Sequence, residues 1–142
     1  MMKIRKAGES DLAFIKDSWV GSYWKIHAKS HIPKEVYFQE QRSHIETLLC
    51  DSELLVACFP EVPDEILGWA CIEHETCHFV YTKSIYRRGG VGRLLLCRNK
   101  VRWYSHQTNE VGKAFARAVN MCFNPYTRMR HETLPCAIRK HG

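Results

Sequence analysis

The chain has 142 residues, 45% of them hydrophobic and 25% charged, with a formal net charge of +6. That length suits a single domain, residues 1–142, and the composition excludes a disordered chain. No apolar run reaches the length of a membrane-spanning helix, so no membrane partner is expected.

The opening residues Met1-Met2-Lys3-Ile4-Arg5 lack the apolar core of an export signal. The seven cysteines are odd in number, show no C-x-x-C pair and sit largely in apolar runs. That pattern points to reduced thiols and a cytoplasmic protein, and against a thiolate metal site.

Lys3 to Ala7 reads as a short strand ended by Gly8. Ser10 or Asp11 can cap a following helix that carries Leu12, Ile15, Trp19 and Tyr23 on one face. A linker from Lys25 to His31 leads to Pro33, which suits the first turn of a second helix. That helix runs to about Leu49 with Phe38, Ile45, Leu48 and Leu49 inward. Leu54–Phe59, Ile66–Glu73 and Cys77–Thr82 are short runs rich in Val, Ile and aromatics, separated by breakers. Such runs read as an antiparallel meander. After the basic, glycine-rich stretch Lys83–Gly92 comes a helix over 91–102, with Val91, Leu94, Cys97 and Val101 inward. A strand at 103–107 and a helix at 109–120, striped by Val111, Ala114, Phe115 and Ala118, follow. The basic segment from Phe123 has room for two short strands. The order β-α-α-β-β-β-α-β-α is that of an α/β or α+β domain.

The sharpest motif is Tyr86-Arg87-Arg88-Gly89-Gly90-Val91-Gly92-Arg93, placed between a predicted strand and a predicted helix. Helix starts offer unpaired N–H groups and partial positive charge, and glycines let the backbone approach a phosphate. Arg87, Arg88 and Arg93 add guanidinium charge suited to phosphate. A diphosphate is the natural ligand. The dinucleotide fingerprint does not fit, because Leu95 stands where its third glycine belongs. No Gly-Lys-Ser/Thr follows, so a Walker loop does not fit either.

Arg87-x-x-Gly90-x-Gly92 after a strand resembles the acyl-CoA pyrophosphate loop of the GCN5-related N-acetyltransferase (GNAT) superfamily, and the element order over residues 3 to 123 resembles that fold. The resemblance implies a mixed, mostly antiparallel central sheet with helices on both faces, splayed between strands 4 and 5. It implies acetyl-CoA as co-substrate and an amine-bearing small molecule or protein as acceptor. By position, Val80 and Thr82 would present backbone to the pantetheine arm. The amides of Arg88, Gly90, Val91 and Gly92, in a turn that includes Gly89, would hold the pyrophosphate with Arg87 and Arg93. Asn109 would match the family's asparagine at the next helix start.

The same resemblance puts Glu73 at the position of a general base, with Glu75 as the nearby substitute. The family's tyrosine acid has no counterpart in Ala114-Phe115-Ala116-Arg117, which leaves Tyr104, Ser105, His106 or Tyr126 as the proton donor. A histidine such as His106 at a strand end has a chemistry suited to this role, although a lone histidine is more often structural. Trp19, Tyr23, Trp24 and His27 are candidates for the acceptor pocket, although aromatics at helical spacing are more often core.

His74-Glu75-Thr76-Cys77-His78 is a literal H-E-x-x-H, the zinc-protease signature. That chemistry needs a helix, and strand-like residues flank the motif on both sides. The expected reading is a turn at Glu75-Thr76 with partly exposed histidines and no metal. Two alternatives to the enzyme remain at this level. One is nucleic-acid binding or base modification through Arg93, Arg98, Lys100, Arg102 and the tail residues Arg128, Arg130, Arg139, Lys140 and His141. The other is a non-enzymatic partner-binding protein on a GNAT-like scaffold.

Overall fold

The computed structural model describes residues 1–27, 32–97, 100–106 and 108–126, with residues 26 and 27 described by backbone alone. Its elements are β1 (Lys3–Lys6), α1 (Leu12–His27), α2 (Lys34–Cys50), β2 (Glu53–Cys58), β3 (Gly68–Glu73), β4 (Thr76–Thr82), α3 (Val91–Leu96), β5 (Trp103–Tyr104), α4 (Glu110–Ala118) and β6 (Cys122–Phe123). The strands form one sheet in the order β1-β2-β3-β4-β5-β6. Pairing is antiparallel through β4, and β4–β5 and β5–β6 are parallel. The expected mixed, mostly antiparallel sheet is therefore present.

Helices cover both faces. On one side Ile15, Trp19, Val20 and Tyr23 of α1 and Tyr37, Ile45 and Leu48 of α2 pack on Val56, Trp69 and Cys71. Trp19 stacks on Phe79 with ring centroids 5.5 Å apart. On the other side Val91, Leu95 and Leu96 of α3 and Ala116 of α4 pack on Leu55, Ala57, Ala70, Ile72 and Cys77. Trp19 and Tyr23 are thus core residues rather than pocket lining. Burial pushes the Tyr23 phenol far above its ordinary pKa.

The helix start at residue 9 is built on Asp11. Its carboxylate accepts from the Gly8 amide at 2.8 Å and from both terminal nitrogens of Arg5 at 2.7 and 3.0 Å. This ties β1 to the first helix through one side chain.

Several expectations are corrected. Pro33 is the N-cap of α2 rather than part of its first turn, and Tyr37 is buried in addition to Phe38, which is half-buried against the same core. Helix α3 ends at Leu96, so Val101 and Arg102 lie outside it and Cys97 is exposed. Of the stripe expected on α4, Phe115 packs against the core, but Val111, Ala114 and Ala118 are exposed. Val111 is 76% exposed, and Ala116 is buried with Phe115 and Val119 packed beside it. The reason is close packing of Gly92 on Phe115, which fixes the rotation of α4. The strand expected over 103–107 is limited to Trp103–Tyr104. Cys50, Cys58, Cys71, Cys77 and Cys97 are free thiols, but Cys122 is disulfide-bonded, against the expectation that every cysteine is reduced. No helix among the described residues is long and apolar enough to cross a membrane.

Candidate active site

Strands β4 and β5 pair only at Thr76↔Trp103 and Cys77↔Tyr104, with a last bond from the Ser105 amide to the Cys77 carbonyl at 3.3 Å. Beyond that point β4 continues to Thr82 paired with β3 alone. Lys83 N donates to Leu67 O, so in the alternating antiparallel ladder Phe79 and Tyr81 bond to β3 while Val80 and Thr82 turn their backbone groups outward. Among the described residues, the result is an open strand edge beside β5. Arg87 Nε reaches the Thr82 carbonyl on that edge at 3.4 Å.

The glycine-rich loop follows directly. Tyr86 is anchored by its hydroxyl, which donates to Glu65 at 2.9 Å. Arg88 and Gly90 take left-handed conformations (φ 69° and 83°), and Gly90 is the N-cap of α3. Gly89 returns its amide to Tyr86 O, and the next helical bond runs from Leu94 N to Gly90 O. Between them the amides of Arg88, Gly90, Val91, Gly92 and Arg93 meet no acceptor among the described residues. The loop is exposed, and a Cβ built on Gly90 meets nothing within 4 Å. Arg87, Arg88 and Arg93 form no ion pair among the described residues. Amides without acceptors at a mostly exposed turn, beside three arginines, have the chemistry that suits a polyanion.

On the opposite face of the sheet lies a polar chain. His78 Nε2 is 2.7 Å from Glu73 Oε1, and His78 Nδ1 is 2.6 Å from Ser105 Oγ. Ser105 Oγ is 2.7 Å from His106 Nδ1, and His106 Nε2 is 2.8 Å from His44 Nε2 on α2. A β-bulge makes the chain. The register steps from Cys71↔Phe79 to Ile72↔Cys77, so His78 is the extra residue and is re-aimed toward Ser105. The His106 ring also packs against Tyr23 at 5.5 Å. His78 and Ser105 are buried, and His44 is exposed.

No protein-family model matches the sequence, and no curated protein matches it. Solved structures do match. An N-acetyltransferase from Thermoplasma acidophilum, in complex with coenzyme A, superposes with a TM-score of 0.58 at 19% identity over 83% of this chain and 87% of its own. A possible acetyltransferase from Clostridium difficile gives 0.57 at 17% identity over 85% and 90%. AAC(6')-Iy, bound to a bisubstrate analogue of CoA and acetylneamine, gives 0.50 at 12% identity over 85% and 90%.

The fold is that of the GCN5-related N-acetyltransferases.

Set on this GNAT fold, the expected residues fall into two groups on opposite faces. Val80, Thr82, Arg87, Arg88, Gly89, Gly90, Val91, Gly92 and Arg93 lie along the open edge and loop. Asn109 is the N-cap of α4, its Oδ1 accepting from Gly112 N at 2.9 Å. Glu73 and His106 are joined through His78 and Ser105. Tyr104 is not with them. It packs on the α3 side, its ring 5.4 Å from Phe123. The turn falls at His74–Glu75 rather than Glu75–Thr76, and His78 is buried in the polar chain, so the H-E-x-x-H letters do not form a helical metal site. No group of three or more metal-binding side chains exists among the described residues. The side chain of His27, together with Arg98 and the basic tail, lies outside the described residues.

His44 was missed because it comes from α2, and nothing local marks it. His78 was visible only as part of a zinc signature. A cavity of about 580 Å³ also opens on the α3 face between Arg93, Lys100, Arg102 and Met121, but its lining includes neither the open edge of β4 nor the polar chain.

Proposed function

We propose that the chain is an acyl-CoA-dependent N-acyltransferase, a single GNAT-like domain that moves an acetyl group from acetyl-CoA to an amine. One observation carries this reading. Among the described residues, the amides of Arg88, Gly90, Val91, Gly92 and Arg93 lack acceptors directly beside a strand edge that no longer pairs with β5. A ligand that is part diphosphate and part peptide-like arm satisfies both, and the coenzyme portion of acetyl-CoA is such a ligand. The CoA ligands of the Thermoplasma acidophilum protein and of AAC(6')-Iy on the same fold support the assignment.

In this reading Arg87 and Arg93 flank the pyrophosphate, and the outward groups of Val80 and Thr82 pair with the pantetheine amides. Asn109 acts through helix capping, which seats α4 against Gly92. The amine approaches from the α1–α2 face, where Glu73 and His106 supply basic groups. Tyr104 is the hydroxyl on the loop side and the candidate donor to the leaving thiolate. Holding amine and thioester together supplies much of the rate.

The test is thiol release from acetyl-CoA across a panel of amines, from polyamines and aminoglycosides to lysine peptides and nucleobase amines. Amine-dependent release by the wild-type chain supports the reading. Tight acetyl-CoA binding with no release for any amine would favour a silent scaffold.

A further inference from the structure

Arg93, Lys100 and Arg102, which the sequence offers as part of a nucleic-acid surface, come together in one cavity on the α3 face. We propose that this cavity is a second anion site, separate from the coenzyme loop, and that it takes a small ligand joining a phosphate monoester to an apolar or aromatic body. The proposal is independent of the acyltransferase reading.

The cavity lies at the opposite end of β4 from the loop. It is bounded by Glu75 in the β3–β4 turn, the end of α3, the connection into β5 and the turn from α4 into β6. The seven residues of β4 separate Glu75 from the loop, which is about 20 Å of strand. Of the loop residues only Arg93 lines it.

Charge selects an anion. Arg93 and Lys100 form no ion pair among the described residues. Arg102 is held from three sides. Its amide donates to the Glu75 carbonyl at 2.8 Å, its carbonyl accepts from the Cys122 amide at 2.9 Å, and its guanidinium lies 5.3 Å from the centre of the Trp103 ring. One acid shares the lining, Glu75, whose carboxylate is 3.4 Å from Arg102 Nη1. Both side chains are partly exposed, and a pair so long and so wet contributes little, so a stronger anion displaces it at small cost. A phosphate monoester carries close to two charges at neutral pH and suits three cations set against one carboxylate.

Shape selects the rest of the ligand. The floor is apolar, made by the buried residues Leu96, Val101 and Met121. A volume of about 580 Å³ exceeds what a bare phosphate fills and falls within the roughly 300–1,000 Å³ of small-molecule pockets. Nucleic acid fits less well. Trp103, the ring beside Arg102, is 2% exposed and offers no face on which a base could stack.

Cys97 supplies the readout, because it is exposed and lines the same cavity. Cys50 on α2 is exposed, lies outside the lining and serves as the internal control. Iodoacetamide labelling rates of both are followed by peptide mass with phenyl phosphate, phenol, inorganic phosphate or a short single-stranded RNA. Phenyl phosphate is expected to slow Cys97 at least threefold and to leave Cys50 unchanged. Phenol at the same concentration is expected to have no effect, and inorganic phosphate to need a higher concentration. Lys100→Glu is expected to abolish the protection, each variant being compared with itself without ligand. Glu75→Gln is expected to lower the phenyl phosphate concentration required, which loss of a merely structural contact would not do. Arg87→Ala/Gly90→Ala is expected to keep the protection, since the coenzyme loop takes no part. No protection, equal slowing of Cys50, equal protection by phenol or by inorganic phosphate, protection that survives Lys100→Glu, no gain in Glu75→Gln, or loss in the loop variant would each overturn the proposal. An RNA that protects Cys97 where phenyl phosphate does not would place an extended polyanion there and overturn it too. No arm reads acetyl-CoA turnover, so this proposal and the acyltransferase reading fail separately.

Discussion

His78 Nδ1 lies 2.6 Å from Ser105 Oγ, and this bond joins β4 to the end of β5 at the residue where the two strands cease to pair. Both residues are buried, so the bond is shielded from water and holds the vertex of the gap. Ser105→Ala leaves two imidazole nitrogens without their hydroxyl partner. The expected loss is about 1–3 kcal/mol of unfolding free energy, read from urea titration. Acetyl-CoA affinity is expected to persist, because the loop is on the other face.

The Arg5–Asp11 pair predicts a pH dependence. Hydrogen bonding from Arg5 holds the Asp11 carboxyl below its ordinary pKa, with the Gly8 amide assisting. A carboxylate depressed in the folded state stabilises above its unfolded value of about 3.9 and loses that stabilisation as pH falls through the folded value. Asp11→Asn is expected to cost about 1–3 kcal/mol at neutral pH. The gap between the two proteins closes below about pH 4, as followed by thermal melts across an acid series.

Thiol reactivity separates the cysteines by depth. Burial pushes the Cys77 thiol well above its ordinary pKa, and Cys58 and Cys71 are buried beside the same sheet. Cys50 and Cys97 are exposed. Iodoacetamide on the native protein should label Cys50 and Cys97 quickly, and Cys58, Cys71 and Cys77 only in denaturant, as mapped by peptide mass. Rapid native labelling of Cys77 would mean that the α3-side core is open.

Gly68 marks a close approach of β3 to β4 and α3. A Cβ there would lie 2.5 Å from the Tyr81 carbonyl oxygen and 2.7 Å from Val91 Cγ1. Neither neighbour can yield without moving the open edge or the start of α3. Gly68→Ala is expected to lower stability by about 2 kcal/mol or more, measured by denaturant unfolding, and to weaken acetyl-CoA binding by displacing the loop.

The sequence made some parts legible and hid others for physical reasons. The meander was plain because alternating apolar runs between prolines and glycines specify strands locally, and 53–58, 68–73 and 76–82 follow those runs closely. The loop was legible because Gly90 and Gly92 flank a helix start. The inward face of α4 was not, since it depends on Phe115 meeting Gly92 across the fold. Nor was the polar chain, whose members come from separate segments of the chain and meet where a bulge re-aims His78. Glu73, Ser105 and His106 stand in the sequence as separate candidates and His78 only within the H-E-x-x-H letters, so the connection between them was not legible.

The central claim is that the turn between Thr82 and Val91 grips the phosphates of a coenzyme through unpaired amides. Isothermal calorimetry with acetyl-CoA on the wild-type chain and on the Arg87→Ala/Gly90→Ala double variant tests it most directly. Alanine at Gly90 opposes its φ of 83° at a cost of about 1 kcal/mol in folding, which leaves a folded protein to titrate. The account predicts dissociation in the micromolar range for the wild type and no measurable binding for the variant. Equal affinity in the two would contradict it.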